Sequence, residues 1–218
     1  MPSGPARRRA VDAATRVYLA REALDMSALA DSLGVGRATL YRWVGNRDAL
    51  LGTVLAEATE RTYRRAIAQA TGSGTDLLLD VFERVMRSVV ASAPLRALTQ
   101  REPMVFIRLA LMPGAIESAS ARATTEVIAR EQANGNLRVT ISPEVLGRAL
   151  VRICDVHLYA PLLGGDEPEI ETALDLVALL LGSGEATCST SNGSRVEQRS
   201  EASPQDCQGE REVHRSSS

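Results

Sequence analysis

The sequence predicts an all-α chain in which a small N-terminal three-helix helix-turn-helix domain precedes a larger helical C-terminal domain. Three observations carry this. Apolar residues recur at i, i+3, i+4 and i+7 through most of residues 7–181. Pro94, Pro103, Pro113, Pro143 and Pro168 fall at or near the starts of the periodic runs, where a missing N–H does no harm. No period-two stretch is long enough to compete, and Asn136 to Ile141, the nearest to one, reads as a turn residue and an extended link. At 218 residues and 44% hydrophobic, the chain exceeds one helix-turn-helix and has material for a second core.

Residues 7–21 form the first predicted helix, with Val11, Ala14, Val17, Tyr18 and Ala20 as its apolar stripe. Arg7, Arg8 and Arg9 make a basic arm at its start, which either reaches DNA or is simply solvated. The second helix carries Met26, Leu29, Ala30 and Leu33 on one face, with Asp25 as N-cap and Gly34 just past its end. Only Val35 and Gly36 then separate it from a third helix starting near Arg37, and so short a link enforces angled packing. A fourth helix, capped by Asn46, runs from Arg47 towards Ala70, where Thr71-Gly-Ser-Gly-Thr75 makes a flexible turn. Further helices are expected over 77–91, 94–99, 104–111, 115–133, 143–163 and 168–181. Residues 1–60 are therefore assigned to the helix-turn-helix domain with its arm, and 61–181 to the second domain. Residues 182–218, poor in large apolar side chains, are expected to be a disordered tail.

In the third helix Leu40 and Val44 face inward, leaving Arg37, Ala38, Thr39, Tyr41, Arg42 and Trp43 at its start or on its outer side. Such a helix enters the major groove by its N-terminal end, where Arg reads guanine, Thr touches a base or a thymine methyl, and Tyr bonds phosphate. Arg47, at the first position of the next helix, is suited to share a phosphate with backbone amides. Trp43 either stacks on DNA or folds back over the first helix. The run Ala38-Thr-Leu-Tyr41, Val44, Asn46-Arg47 and Ala49-Leu-Leu51 resembles the DNA-binding domain of TetR-type transcriptional regulators over residues 10–60. The resemblance implies that residues 37–43 are the recognition helix and that Tyr41 and Arg47 touch the DNA backbone. Three departures stand out: Gly36 replaces the usual Ser cap, Trp43 replaces a common His, and the link between the first two helices is about two residues short.

The second domain resembles the ligand-sensing and dimerisation domain of the same regulators. Gln100-Arg-Glu-Pro103, the Glu131 to Gly135 spacing and the late Leu158-Tyr-Ala160 resemble the branch that controls degradation of quorum-sensing lactone signals. This implies a small-molecule inducer of lactone-like chemistry. Candidate walls for its pocket are Phe82, Met86, Met104, Phe106, Leu109, Met112 and Ile116, and candidate polar contacts are Arg101, Arg108, Arg152, His157 and Tyr159. The same Met and Phe residues also suit a plain core, His157 suits a buried neutral histidine, and Arg101 and Glu102 suit a surface pair. The last two helices each carry a broad apolar stripe, centred on Val145 to Ala160 and Ile170 to Leu181. These either pack a four-helix homodimer interface or complete the monomer core. A dimer would offer two recognition helices to double-stranded operator DNA at half-sites about 34 Å apart, or a multiple of that.

Net charge is only −2, yet residues 1–70 hold 11 Arg against 7 acids, whereas residues 71–181 hold 10 against 14. The basic share thus lies with the proposed DNA-binding domain. Cys154, Cys188 and Cys207 have no metal-ligand spacing and read as free thiols, and with only His157 and His214 no catalytic constellation assembles. No enzyme activity, metal or cofactor is expected. Nor is a membrane partner, since no 18-residue apolar run or signal-like segment occurs, and a cytoplasmic location follows. The expected function is a one-component repressor, bound to DNA as a homodimer and released by its inducer. The alternative is a helix-turn-helix interaction module without specific DNA binding.

Overall fold

The computed structural model describes residues 4–182; the expected tail from 183 onward, with Cys188 and Cys207, lies outside the described residues. Ten α-helices follow in order among them: α1 Gly4–Leu19, α2 Met26–Ser32, α3 Arg37–Val44, α4 Arg47–Gln69, α5 Gly74–Val90, α6 Ala93–Arg101, α7 Pro103–Leu111, α8 Ala115–Ala133, α9 Pro143–Leu158 and α10 Ile170–Gly182. A 3-10 turn spans Ala160–Leu162, and no strand occurs among the described residues.

Local chemistry explains most boundaries. The Asp25 carboxylate accepts from Ser27 N at 2.6 Å and Ala28 N at 3.0 Å, and Asn46 accepts from Ala49 N at 2.8 Å, so both expected caps form. Ser92 and Ser142 cap α6 and α9 in the same way, each with a Pro in the first turn. Two expectations are corrected. Arg7 to Arg9 lie inside α1 instead of forming an arm, and Arg8 pairs with Glu57 at 2.9 Å and Asp12 at 3.1 Å. The helix expected over 143–163 stops at Leu158, because Pro161 has no N–H for the His157 carbonyl four residues back; Glu169 N takes that carbonyl instead, at 3.0 Å.

One core joins α1, α2, α3 and the first half of α4 to Leu98, Phe106, Ala110 and Ile116 of α6, α7 and α8. A second packs α5, α8, α9 and α10 around Phe82, Ile128, Leu150 and Val177. Tyr63 and Ala66, near the end of α4, pack on Val81 and Val85 of α5, so α4 ties the two regions together. The expected turns at 71–75 and 134–136 lock onto each other. Gly74 has φ +58, and a Cβ there would lie 2.2 Å from Asn136 O, so only glycine fits. Its amide donates to the buried Glu131 carboxylate at 2.9 Å, which also accepts from Asn136 Nδ2 at 2.9 Å.

Candidate DNA-reading surface and effector cavity

On α3, Leu40 and Val44 are buried while Arg37, Ala38, Tyr41 and Arg42 are exposed, with Thr39 half-buried. Arg42 Nη2 donates to the Thr39 hydroxyl at 3.2 Å, which holds the two polar groups together on the outer face. Trp43 is half-buried against the first core, in the covering arrangement. Arg47 departs from the sequence expectation. Its Nε donates to Leu24 O at 2.7 Å and its Nη2 to Glu102 Oε1 at 2.6 Å, so the guanidinium is turned into the protein.

That contact belongs to a joint between α6 and the helix-turn-helix. Arg101 donates to Arg21 O at 2.8 Å and to Glu22 O at 3.0 Å, just beyond α1, where Arg21 adopts a left-handed φ of 63°. Arg101 and Glu102 therefore do not form the expected surface pair. Arg101 reaches the loop between α1 and α2, and Glu102 reaches Arg47 at the start of α4.

Behind the joint lies a cavity of about 750 Å³, a size suited to a small organic molecule. Helices α1, α4, α5, α6, α7, α8 and α9 all contribute to its lining. Leu19, Arg65, Ser88 and Ala91 are exposed and mark the mouth; Leu55, Tyr63, Phe106, Ile116, Ser120 and Leu158 are buried and form the floor. Of the expected ligand contacts, Phe106, Ile116 and Tyr159 line this space. The others do not. Phe82 and Met86 fill the second core, Leu109 packs on the first, and Met104 and Met112 are 68% and 58% exposed. Arg108 pairs with Asp48, Arg152 donates to Leu111 O, and His157 Nδ1 lies 2.6 Å from Glu169 Oε2. Apolar periodicity identifies an inward face, but a core and a hollow present the same periodicity.

The sequence reading missed the cavity's polar members Asp155, Tyr63, Tyr18 and Arg61. Burial pushes the Asp155 carboxyl up to about 7, against the opposing pull of Arg152 and with a smaller push from Glu117. Burial also raises the Tyr63 and Tyr159 phenols, and the Asp155 charge adds to it. The buried Cys154 thiol is pushed up to about 12, so it is a packing group with no thiolate character. No group of three or more His, Cys, Asp or Glu able to hold a metal occurs among the described residues.

The family model for the tetracyclin repressor-like C-terminal domain matches residues 73–182. The chain is also similar to the R. erythropolis transcriptional repressor QsdR of the TetR family, with 69% identity, 83% of this chain and 96% of that one covered, and a TM-score of 0.82. The chain belongs to the TetR family. The TetR family repressor AlkX from Dietzia sp. is 20% identical, over 82% of this chain and 95% of that one, with a TM-score of 0.57. Thermus thermophilus FadR, a TetR family transcriptional repressor in complex with lauroyl-CoA, is 17% identical, over 87% and 100%, with a TM-score of 0.58. These two share the fold. No match is found among curated proteins. As a TetR-family chain this is a transcriptional regulator, and the interaction module without DNA binding is not favoured.

In this TetR-family regulator the stripes on α9 and α10 divide into two sets. Leu146, Leu150, Ala173 and Val177 are buried in the second core, whereas Val145, Val156, Leu176 and Leu180 are 62%, 51%, 38% and 46% exposed. Among the described residues no single helix is long and apolar enough to cross a membrane.

Proposed function

We propose that this chain is a cytoplasmic repressor that binds operator DNA as a homodimer and leaves it when a small, largely apolar, lactone-like molecule enters the cavity. In this reading residues 1–60 bind DNA through Arg37, Ala38, Thr39, Tyr41 and Arg42, and residues 61–181 sense the ligand and dimerise. One observation carries the reading: α4 and α6 each place residues in the cavity wall and, at their other ends, Arg47 and Arg101 in the joint, where Arg101 holds the loop that leaves α1. A ligand that fits the cavity better in one setting of these helices shifts the population towards that setting. In the dimer, the recognition helices keep the half-site separation only in the other setting.

The outer apolar residues Val145 and Val156 on α9 and Leu176 and Leu180 on α10 support dimerisation through the last two helices. They form an exposed apolar surface of the kind that a second copy covers. The lactone chemistry rests on the sequence resemblance together with a cavity whose floor is mostly apolar.

The test is fluorescence anisotropy with DNA from upstream of the chain's own gene, against scrambled DNA, followed by titration with lactones. Specific binding is expected, with Arg42→Ala losing about 1–3 kcal/mol if Arg42 reads guanine. Equal weak binding to both DNAs, unchanged by Arg42→Ala, would overturn the assignment of α3 as the reading helix on that DNA.

A further inference from the structure

The cavity has one polar corner that the protein leaves unsatisfied. Asp155 and Tyr159 are four residues apart at the end of α9, on the same face, and both line the cavity. Neither the Asp155 carboxyl nor the Tyr159 phenol has a hydrogen-bond or salt-bridge partner among the described residues. Two other lining hydroxyls are satisfied within their own helices: Thr15 and Thr62 donate to Val11 O and Ala58 O at 2.9 and 3.1 Å. The Tyr159 ring is held edge-on against Phe106, with centroids 5.0 Å apart and planes at 79°, which limits where its hydroxyl can swing.

A half-buried carboxyl that lines a cavity without a protein partner is costly when ionised and, when neutral, keeps an O–H free to donate. Positive charge disfavours an ammonium ligand: Arg152 acts on Asp155 from its own helix, and Arg61 and Arg65 of α4 stand on the same cavity lining. Glu117 of α8 adds negative charge, which favours the neutral acid, and the remaining titratable neighbours, Cys154, Tyr63 and Tyr18, have raised values and are neutral. With its own value near 7, Asp155 carries its proton through the acidic side of neutrality. A neutral carboxylic acid and a phenol are both O–H donors, and a carbonyl oxygen has two lone pairs to accept them.

Resting on the reading of the cavity as the effector site, we propose that Asp155 and Tyr159 are its polar anchor. They donate two O–H groups to one carbonyl oxygen of an otherwise apolar lactone, ester or amide, so that binding takes up a proton as the solution becomes alkaline. An ionised Asp155 repels the carbonyl oxygen, and the effector draws the protonated form from the equilibrium.

The experiment is isothermal titration calorimetry of the full chain with γ-decalactone and with 2-hexyltetrahydrofuran, the same ring and tail without the carbonyl. Titrations run from about pH 5.5 to about pH 8.5 in buffers of different ionisation enthalpy. The lactone dissociation constant is expected to be flat on the acid side and to rise about tenfold per pH unit above neutrality, with the buffer dependence reporting uptake approaching one proton. Asp155→Asn keeps an N–H donor and is expected to bind with no pH dependence; Tyr159→Phe weakens binding about tenfold while keeping the profile. The carbonyl-free ring should bind at least about tenfold more weakly than the lactone. A flat wild-type profile, equal affinity for both compounds, or no lactone binding at any pH overturns the anchor. The buffer measurement needs no variant, so a misfolded mutant does not shield the idea. Operator anisotropy on the same samples separates the two readings: specific DNA binding with a failed lactone profile removes the anchor and leaves the repressor standing.

Discussion

The ion pair between Arg47 and Glu102 is the contact whose removal most directly tests how α6 is tied to the helix-turn-helix. Its N···O distance is 2.6 Å, and the two side chains are only 28% and 23% exposed. Open surface pairs contribute about 0–1 kcal/mol, and hydrogen bonds to charged groups with partial burial about 1.5–3 kcal/mol. A coupling of about 1–2 kcal/mol is therefore expected from a double-mutant cycle of Arg47→Ala and Glu102→Ala, followed by urea unfolding at fixed protein concentration. Arg47→Ala should cost more than Glu102→Ala, because it also strips the Leu24 carbonyl of its donor at 2.7 Å. In the operator assay Glu102→Ala should keep DNA affinity within a few-fold and change the effector concentration needed for release. A coupling below about 0.5 kcal/mol would refute the joint as an energetic link. A second result would also refute it: Arg47→Ala alone weakening binding to every DNA while lowering the salt dependence, which is the signature of a phosphate contact.

Two further outcomes follow from packing and from pH. Gly147→Ala places a Cβ 2.8 Å from Thr125 Oγ1 and 3.1 Å from Thr125 N, where α9 crosses α8. The helix-propensity gain of about 1 kcal/mol is outweighed by overpacking of about 1–3 kcal/mol, so the melting temperature should fall; a rise would show that the two helices separate freely. The Glu131 carboxyl is held below its usual value by the Gly74 amide, then by Asn136. A depressed carboxylate stabilises the fold above its unfolded value and loses that contribution as pH falls through the folded one. The stability gap between wild type and Glu131→Gln should therefore be full at neutral pH and shrink on acidification below the ordinary carboxylate value of 4.5; a gap that is constant with pH would remove the charge from the account.

The helix-turn-helix was legible because its signals are local. Asp25 and Asn46 cap amides two or three residues away, and Leu40 and Val44 face inward by spacing alone. Arg47 carries the same kind of local signal and misled, since its partner Glu102 lies 55 residues further along. The cavity was the least legible part. Phe82 and Phe106 both sit on apolar faces and both are buried in a core, and only the three-dimensional arrangement of seven helices makes Phe106 a cavity wall as well. Asp155 did have a sequence signal, an acid set among Val151, Cys154 and Leu158, all of them buried. A charge inside an apolar stripe marks a site more sharply than another Met or Phe.

The energies also limit how the chain can switch. Moving an equilibrium from one setting to the other almost completely takes about 5.5 kcal/mol of differential affinity, whereas the Arg47–Glu102 pair contributes about 1–2 kcal/mol. Left-handed backbone at Arg21, whose carbonyl accepts from Arg101, stores about 1–3 kcal/mol at the same joint. The joint therefore couples the helices without driving them. The larger share of the driving energy has to arise where a ligand replaces empty volume, along the apolar floor formed by Leu55, Phe106, Ile116 and Leu158 and at the unsatisfied pair Asp155 and Tyr159. Because α4 and α6 each run from that cavity to the joint, a shift of either helix at the wall is expected to reach the helix-turn-helix through Arg47, Arg101 and Glu102.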